Sequence, residues 1–378
     1  MNIVLDARLY GVLENTGIGR YTVGLINGLK RIDNDNQYYV LLREKYFNQL
    51  NFPSNWKKVL ADFRHYSLAE QIKLPGLINK LQPDVTHFVH FNVPLLYKKP
   101  FVVTIHDLLM HKQKGTKATT LPAPIYFTKR LGYKAVFSHA VKGSRKIIVP
   151  SEVVKKEVGG YYKIPSSKIT AIYEGVDVLP SGKNQEPILR KYGLNKDQYF
   201  IYAGNAYPHK NLRRAIEAIL ALNKNTKEKY LFAIVCARNV FSQKLAKEIK
   251  DLKAEEYVKL LGFVPDEQLG VLYRNSLAFL YPSLSEGFGL PGLEAILSGS
   301  VACVSNIPVF KEIYQENAIY FNPYDTLEIE KALKKIIEME KKERENFIGK
   351  GQMFVKRYSW DKMAETTLKV YEDCARLR

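Results

Sequence analysis

The chain has 378 residues, 46% of them apolar and 25% charged, which is too long for one ordinary domain and far from the composition of disordered chains. No apolar run reaches the roughly 18 to 20 residues of a membrane-spanning helix, and the opening MNIVLDARLYG lacks the basic region and apolar stretch of a secretory leader. The net charge of +19 is concentrated early: residues 1–180 hold 26 Lys and Arg against 13 Asp and Glu, which suits a polyanionic partner such as nucleic acid, acidic lipid or a phosphorylated substrate.

Short runs rich in Val, Ile, Tyr and Phe recur along the chain, each followed by a stretch with helical period. This alternation predicts an α/β protein with parallel sheets. Strands are expected at Asn2 to Asp6, Tyr38 to Leu42, Val85 to His87, Val102 to His106, Lys146 to Pro150 and Ile169 to Tyr173. A second series is expected at Tyr199 to Gly204, Leu231 to Cys236, Val258 to Gly262, Leu277 to Tyr281, Val301 to Ser305 and Ile319 to Phe321. Between them, LPSGKNQEP (179–187) has linker composition, which places a boundary near residue 180. From Asp325 to the end only helical pattern remains. Each half reads as a Rossmann-like doubly wound sheet, in which ligands sit outside the carboxyl ends of the strands at the switch point. Two such halves facing each other would enclose a central cleft.

The segment YPSLSEGFGLPGLEAILSGS (281–300) is the most specific in the chain. Glu286 falls in a loop and Glu294 about one turn into the following helix, and GFGLPG between them lets backbone approach a ligand closely. The N–H groups of Gly287, Phe288, Gly289 and Leu290 would converge at a helix N-terminus, an anion site by geometry and dipole. A diphosphate would fit there; a plain surface loop before a capped helix fits the same residues.

SEGFGLPGLEA resembles the E-x7-E signature of retaining glycosyltransferases of family 4, whose GT-B architecture has two Rossmann-like domains. The resemblance extends over GIGRY (17–21), VVTIHD (102–107), VPSEVVKKEV (149–158), YEGVD (173–177), YAGNAYPHKNL (202–212), LGFVPDEQLGVLYRNSLAFLYPS (261–283) and YSW (358–360). It implies an acceptor-side domain over residues 1–178, a nucleotide-sugar domain over 179–361, and a last helix (362–378) that crosses back to the first. It further implies that Glu286 contacts the donor sugar, Glu294 the nucleotide ribose, and Lys210 the donor diphosphate, with backbone around Gly262, Phe263 and Val264 reading the base. Many relatives place an arginine five residues before the lysine. Here that position is Asn205, so a second cation would have to come from elsewhere, with Arg238 one source.

His106 resembles the family's cleft histidine, and Gly17 and Gly19, in the loop between the first strand and helix, resemble the glycines beside the donor diphosphate. Arg20 and Tyr21 read as helix-packing residues. Asp33-Asn34-Asp35 spells D-x-D, but its polar turn reads as a solvated loop. His87 and His90 have ligand-like spacing without a supporting acid or cysteine, and Cys236, Cys303 and Cys374 have no paired spacing. No metal and no cofactor is expected, and the compartment reads as reducing cytoplasm. PIYFTKRLGYKAVFSHAVKGSRK (124–146) mixes aromatic and basic residues; it reads either as a helix packed on the sheet with a solvated basic face, or as a peripheral contact with an anionic membrane.

The expected activity is therefore transfer of a hexose from a nucleotide diphosphate sugar to a saccharide or lipid-linked saccharide in surface polysaccharide or glycolipid synthesis. GIGRY with PHKN resembles bacterial mannosyltransferases that use GDP-mannose. A UDP- or dTDP-sugar donor and a nucleotide-sugar epimerase are the alternatives; nucleic-acid binding would explain the charge but leaves 281–300 without a role.

Overall fold

A computed structural model describes residues 1–11, 17–112, 123–180 and 185–376, with side chains 112 and 123–126 outside the description. The chain divides into two compact units, Met1–Gly175 with Tyr358–Arg378, and Val176–Arg357. Of the linker read at 179–187, residues 181–184 lie outside the described residues; the two units divide between Gly175 and Val176.

The first unit carries a parallel sheet of β1 (Asn2–Asp6), β2 (Gln37–Leu42), β3 (Trp56–Leu60), β4 (Val85–Phe88), β5 (Phe101–Thr104), β6 (Lys146–Val149) and β7 (Ile169–Ala171), in the order β3-β2-β1-β4-β5-β6-β7. The second carries β8 (Tyr199–Ala203), β9 (Leu231–Val235), β10 (Val258–Gly262), β11 (Ala278–Tyr281), β12 (Val301–Ser305) and β13 (Ile319–Phe321), ordered β10-β9-β8-β11-β12-β13. Both are doubly wound, with switch points between β1 and β4 and between β8 and β11. In the first unit the strands alternate with α1 (Gly17–Ile32), α2 (Glu44–Gln49), α3 (Leu68–Lys80), α4 (Leu109–Lys112), α5 (Ala123–Gly143) and α6 (Glu152–Tyr162). The second has α7 (Glu186–Tyr192), α8 (Leu212–Lys224), α9 (Val240–Asp251), α10 (Asp266–Arg274), α11 (Leu290–Leu297), α12 (Pro308–Tyr314), α13 (Thr326–Ile337) and α14 (Lys341–Val355), and the last helix is α15 (Trp360–Arg376).

Helices cover both faces of each sheet, so the central strands are continuous apolar runs: every residue of β8 and β12 is buried. The helices bury one stripe, as in α8, where Leu212, Ala215, Ile216, Ile219 and Leu222 are buried. Ser67, Ser151, Asn239 and Asp325 accept backbone N–H bonds as helix caps.

β3 was not expected from the sequence. WKKVL has two lysines among its five residues, and it works as an edge strand because only Trp56 is buried, stacked on Tyr38 at 4.1 Å between ring centroids. The helix α1 begins at Gly17, so Gly17 and Gly19 are its first turn rather than part of the preceding loop; residues 12–16 of that loop lie outside the described residues. Asp33 also departs from the solvated-loop reading. It is buried and accepts from the Tyr38 hydroxyl (2.5 Å), the Asn36 side chain (2.7 Å) and the Asp35 N–H (3.0 Å), so it organises the turn into β2.

α15 belongs to the first unit. Its Trp360 lies against two glycines: a Cβ on Gly24 would stand 2.3 Å from the indole, and one on Gly175 2.3 Å from the Trp360 backbone nitrogen and 2.5 Å from the indole. Further along the helix, the Tyr371 hydroxyl meets His87 Nδ1 at 2.6 Å. His87 Nε2 meets the Thr104 hydroxyl at 2.8 Å, and Thr104 meets Tyr21 at 2.9 Å. Burial, with a smaller contribution from nearby His106, pushes the His87 pKa down to about 3, so this chain of bonds runs through a neutral imidazole.

Candidate active site

The loops that follow β8 and β11 flank the second unit's switch point, and each supplies one member of a close ion pair. Lys210 Nζ lies 2.5 Å from Glu286 Oε1, with the two side chains 10% and 12% exposed. Local backbone chemistry sets this distance. Asn211 takes the left-handed conformation (φ 57°), and its side-chain amide donates to the carbonyls of Pro282 (3.1 Å) and Pro323 (2.8 Å). The Leu284 N–H donates to the His209 carbonyl at 2.8 Å. The two loops are thus bonded to each other on both sides of Lys210, whose ammonium also lies 5.6 Å from the centre of the Tyr281 ring.

Burial raises the Glu286 carboxyl, but Lys210, through its charge and its hydrogen bond, outweighs it with help from neighbouring His209 and holds the group below its ordinary 4.5. Burial and the Lys210 ammonium push the neighbouring His209 down to about 4. At neutral pH the site therefore holds a carboxylate beside Lys210 and an uncharged imidazole. The ammonium has three donors and spends one on Glu286.

GFGLPG feeds directly into α11. Gly289 is the N-cap with φ 106°, and the Tyr314 hydroxyl donates to its carbonyl. Phe288 and Leu290 are buried, so any contact they make with a ligand is through backbone, while Glu294 lies buried on α11. The helix N-terminus and its partial positive charge thus sit on the loop that carries Glu286. A Cβ at Gly289 would stand 2.7 Å from Tyr314 Oη and 2.9 Å from Phe310. Gly289→Ala is therefore expected to destabilise by about 1–3 kcal/mol, read as a lower urea midpoint at unchanged slope; an unshifted midpoint would remove this role for the glycine.

Farther along the sheet, Gly262 ends β10 with φ 74°, next to exposed Phe263 and buried Val264. Arg238, just past β9, places its Nε 3.6 Å from the position a Cβ on Gly262 would take. Asn205 Oδ1 accepts from the Tyr207 N–H at 3.4 Å, and its carbonyl accepts from the Tyr202 hydroxyl at 2.7 Å.

In the first unit, His106 lies two residues beyond the end of β5 rather than in the strand, because the ladder to β6 ends at Thr104. Its Nε2 is 2.9 Å from the Val89 carbonyl, and Tyr21 packs against the ring edge-on at 4.8 Å. Nδ1 faces buried Glu174 at 3.8 Å. The sequence reading quoted YEGVD without singling out Glu174, and no local pattern links it to a histidine 68 positions earlier. It likewise missed the buried group at the first switch point. There, Arg8 donates to both oxygens of Asp6 at 2.7 Å and lies 2.8 Å from Glu70, which also accepts from Asn92 at 2.7 Å. Among the described residues no group of three or more His, Cys, Asp or Glu is arranged to hold a metal.

Two family models match the chain in tandem, Glycosyltransferase Family 4 over residues 15–178 and Glycosyl transferases group 1 over 184–354. The chain is a family 4 glycosyltransferase. It is 27% identical to the O-antigen chain mannosyltransferase RfbU of Salmonella typhimurium, over 93% of this chain and 94% of that one. It is 25% identical to O-antigen chain mannosyltransferase B of Escherichia coli, over 94% and 96%. The glycosyltransferase has the GT-B fold: it superimposes on Anabaena HepE, solved with UDP and glucose, with a TM-score of 0.73 and 17% identity over 98% of this chain and 99% of that one.

Proposed function

We propose that this glycosyltransferase moves mannose from GDP-mannose, with retention at the anomeric carbon, to a hydroxyl of a saccharide or lipid-linked saccharide in surface polysaccharide synthesis. The observation that carries this reading is the Lys210–Glu286 pair across the β8/β11 switch, beside the N-terminus of α11. As the bond from the anomeric carbon to the diphosphate breaks, negative charge grows on the departing oxygens. Lys210 and the α11 N-terminus stabilise that charge. The acceptor oxygen forms the new bond on the same face, and its proton passes to the departing phosphate oxygen. Glu286 orients the sugar, Glu294 holds the ribose, and His106 binds a sugar hydroxyl or phosphate oxygen. The reaction needs neither metal nor cofactor.

The names of the curated relatives support mannose and an O-antigen-like product. The place of action is the cytoplasm, against the anionic inner leaflet. On α5, Phe127 and Leu131 are exposed one turn apart beside exposed Lys129 and Lys134, which suits an interfacial contact. No helix among the described residues is long and apolar enough to cross a membrane.

Thermal unfolding with GDP, UDP, dTDP and their sugars, each with and without EDTA, tests the reading, since a ligand of the native state raises stability by RT ln(1 + [L]/Kd). A shift selective for GDP and GDP-mannose and insensitive to EDTA is expected. A shift with another base replaces the donor, and a shift lost in EDTA refutes metal-free binding. Among variants, Glu294→Ala should weaken nucleotide binding and Glu286→Ala should mainly lower turnover; unchanged kinetics in both would remove these assignments.

A further inference from the structure

The donor reading leaves open which side chain selects the base, and the second sheet narrows the choice. If the phosphates lie at the β8/β11 switch, the nucleoside extends along the carboxyl ends of the sheet. Toward β9 and β10 it would cross strands spaced about 4.8 Å apart, whose ends lie one and two strand spacings from β8. Two side chains of opposite chemistry stand there. Phe263 follows Gly262 and is 59% exposed, a flat apolar face in water. Arg238 is exposed and makes no hydrogen bond or ion pair among the described residues.

The Arg238 backbone is fixed from behind. Asn239 caps α9 by accepting from the Phe241 and Ser242 N–H groups at 2.9 and 3.0 Å, and Ser242 returns a bond to the Asn239 N–H at 2.8 Å. This capping box anchors the residue that follows Arg238. The side chain then runs from the end of β9 over Gly262 at the end of β10, where a larger residue would meet it. The ladder between these strands shifts register between Leu260 and Gly262, which turns the end of β10 at this place.

We propose that Arg238 is the specificity-determining residue for the donor base, donating from its guanidinium fork to O6 and N7 of a guanine stacked on Phe263. This rests on the nucleotide-donor reading above. A planar fork of donors matches the two adjacent acceptors on that edge of guanine, whereas uracil and thymine present no such pair. An aromatic face stacks on any base, so Phe263 supplies affinity and Arg238 supplies choice. On this proposal Arg238, which follows β9 next to β8, reads the base instead of standing in for the arginine absent at Asn205, and Arg238→Lys separates the two roles.

The test is calorimetric titration of the full chain, in EDTA, with GDP, 7-deaza-GDP and UDP. In the wild type, replacing N7 by carbon should weaken binding about tenfold. Arg238→Ala and Arg238→Lys should each weaken GDP by about tenfold or more, bind GDP and 7-deaza-GDP equally, and leave UDP within about threefold of wild type. Phe263→Ala should weaken all three ligands while keeping the N7 preference. The lysine variant keeps the charge and loses the fork, which separates base reading from attraction of phosphate. Arg238→Ala weakening GDP and UDP alike would overturn the proposal in favour of a phosphate contact, as would full rescue by Arg238→Lys. Wild-type protein that binds UDP in preference to GDP would also overturn it while the nucleotide-donor reading stands. A wild type that binds none of the three would overturn both.

Discussion

Lys210→Ala should lower turnover by about 100- to 1,000-fold, the cost of losing one preorganised donor to a developing oxyanion. It should also destabilise the protein by about 3 kcal/mol, the lower end of the range for breaking a buried pair, because both side chains keep about a tenth of their exposure. The two losses have different pH dependence. In the wild type the Glu286 pKa is depressed on folding, so its contribution to stability is present above the ordinary 4.5 and is lost as pH falls through the folded value. Without the ammonium, burial acts on the carboxyl unopposed by its main cation and raises its pKa. The variant then carries a penalty at neutral pH that fades on acidification. Denaturant unfolding at pH 7 and pH 4.5 should therefore show the gap between the two proteins narrowing at the lower pH. Adding Glu286→Ala to Lys210→Ala should restore part of the stability and none of the rate, since the buried carboxylate is gone but the donor is still missing. A gap that is constant with pH would mean that the pair is not coupled as its 2.5 Å separation implies.

Trp360→Ala should destabilise the first unit by about 3–5 kcal/mol, the usual cost of emptying a large aromatic site in a core. The indole is 8% exposed and fills the space left by Gly24 on α1 and Gly175 at the end of the unit. Neither glycine can grow to meet a smaller residue without moving backbone, so the cavity cannot close cheaply. The ladder of contacts that follows Trp360 along α15, from Ala364 against Gly28 to Tyr371 on His87, depends on the same seating. Unfolding followed by the intrinsic fluorescence of Trp56, on β3 of the same unit, should show an earlier transition in the variant. Under the proposed donor reading, which puts the nucleotide on the second unit, GDP binding should be unchanged at temperatures below that transition. A loss under about 1 kcal/mol would mean that the helix is held by its other contacts and that Trp360 fills no real gap.

Much of this was legible in the sequence because the central strands of a two-sided parallel sheet must be apolar throughout. TyrPheIleTyrAla at 199–203 and ValAlaCysValSer at 301–305 admit few other readings at their length. β3 was missed for the converse reason: an edge strand needs only one good buried anchor, and Trp56 provides it while Lys57 and Lys58 erase the pattern. Asp33 was misread because a carboxylate in a polar turn looks the same in sequence whether water or Tyr38 and Asn36 satisfy it. The members of the Lys210–Glu286 pair were both singled out, but their contact spans 76 positions and depends on Asn211 bridging two loops, which no periodicity encodes. Glu174 opposite His106 was invisible for the same reason.

The central claim is that the second unit holds a nucleotide diphosphate at the β8/β11 switch, and a crystal structure of the protein with GDP in EDTA tests it most directly. The account predicts β-phosphate oxygens about 2.7–3.2 Å from Lys210 Nζ and from backbone N–H groups at the start of α11, with the guanine toward β10. Density for GDP elsewhere on the protein, with Lys210 bonded to Glu286 alone, would contradict it.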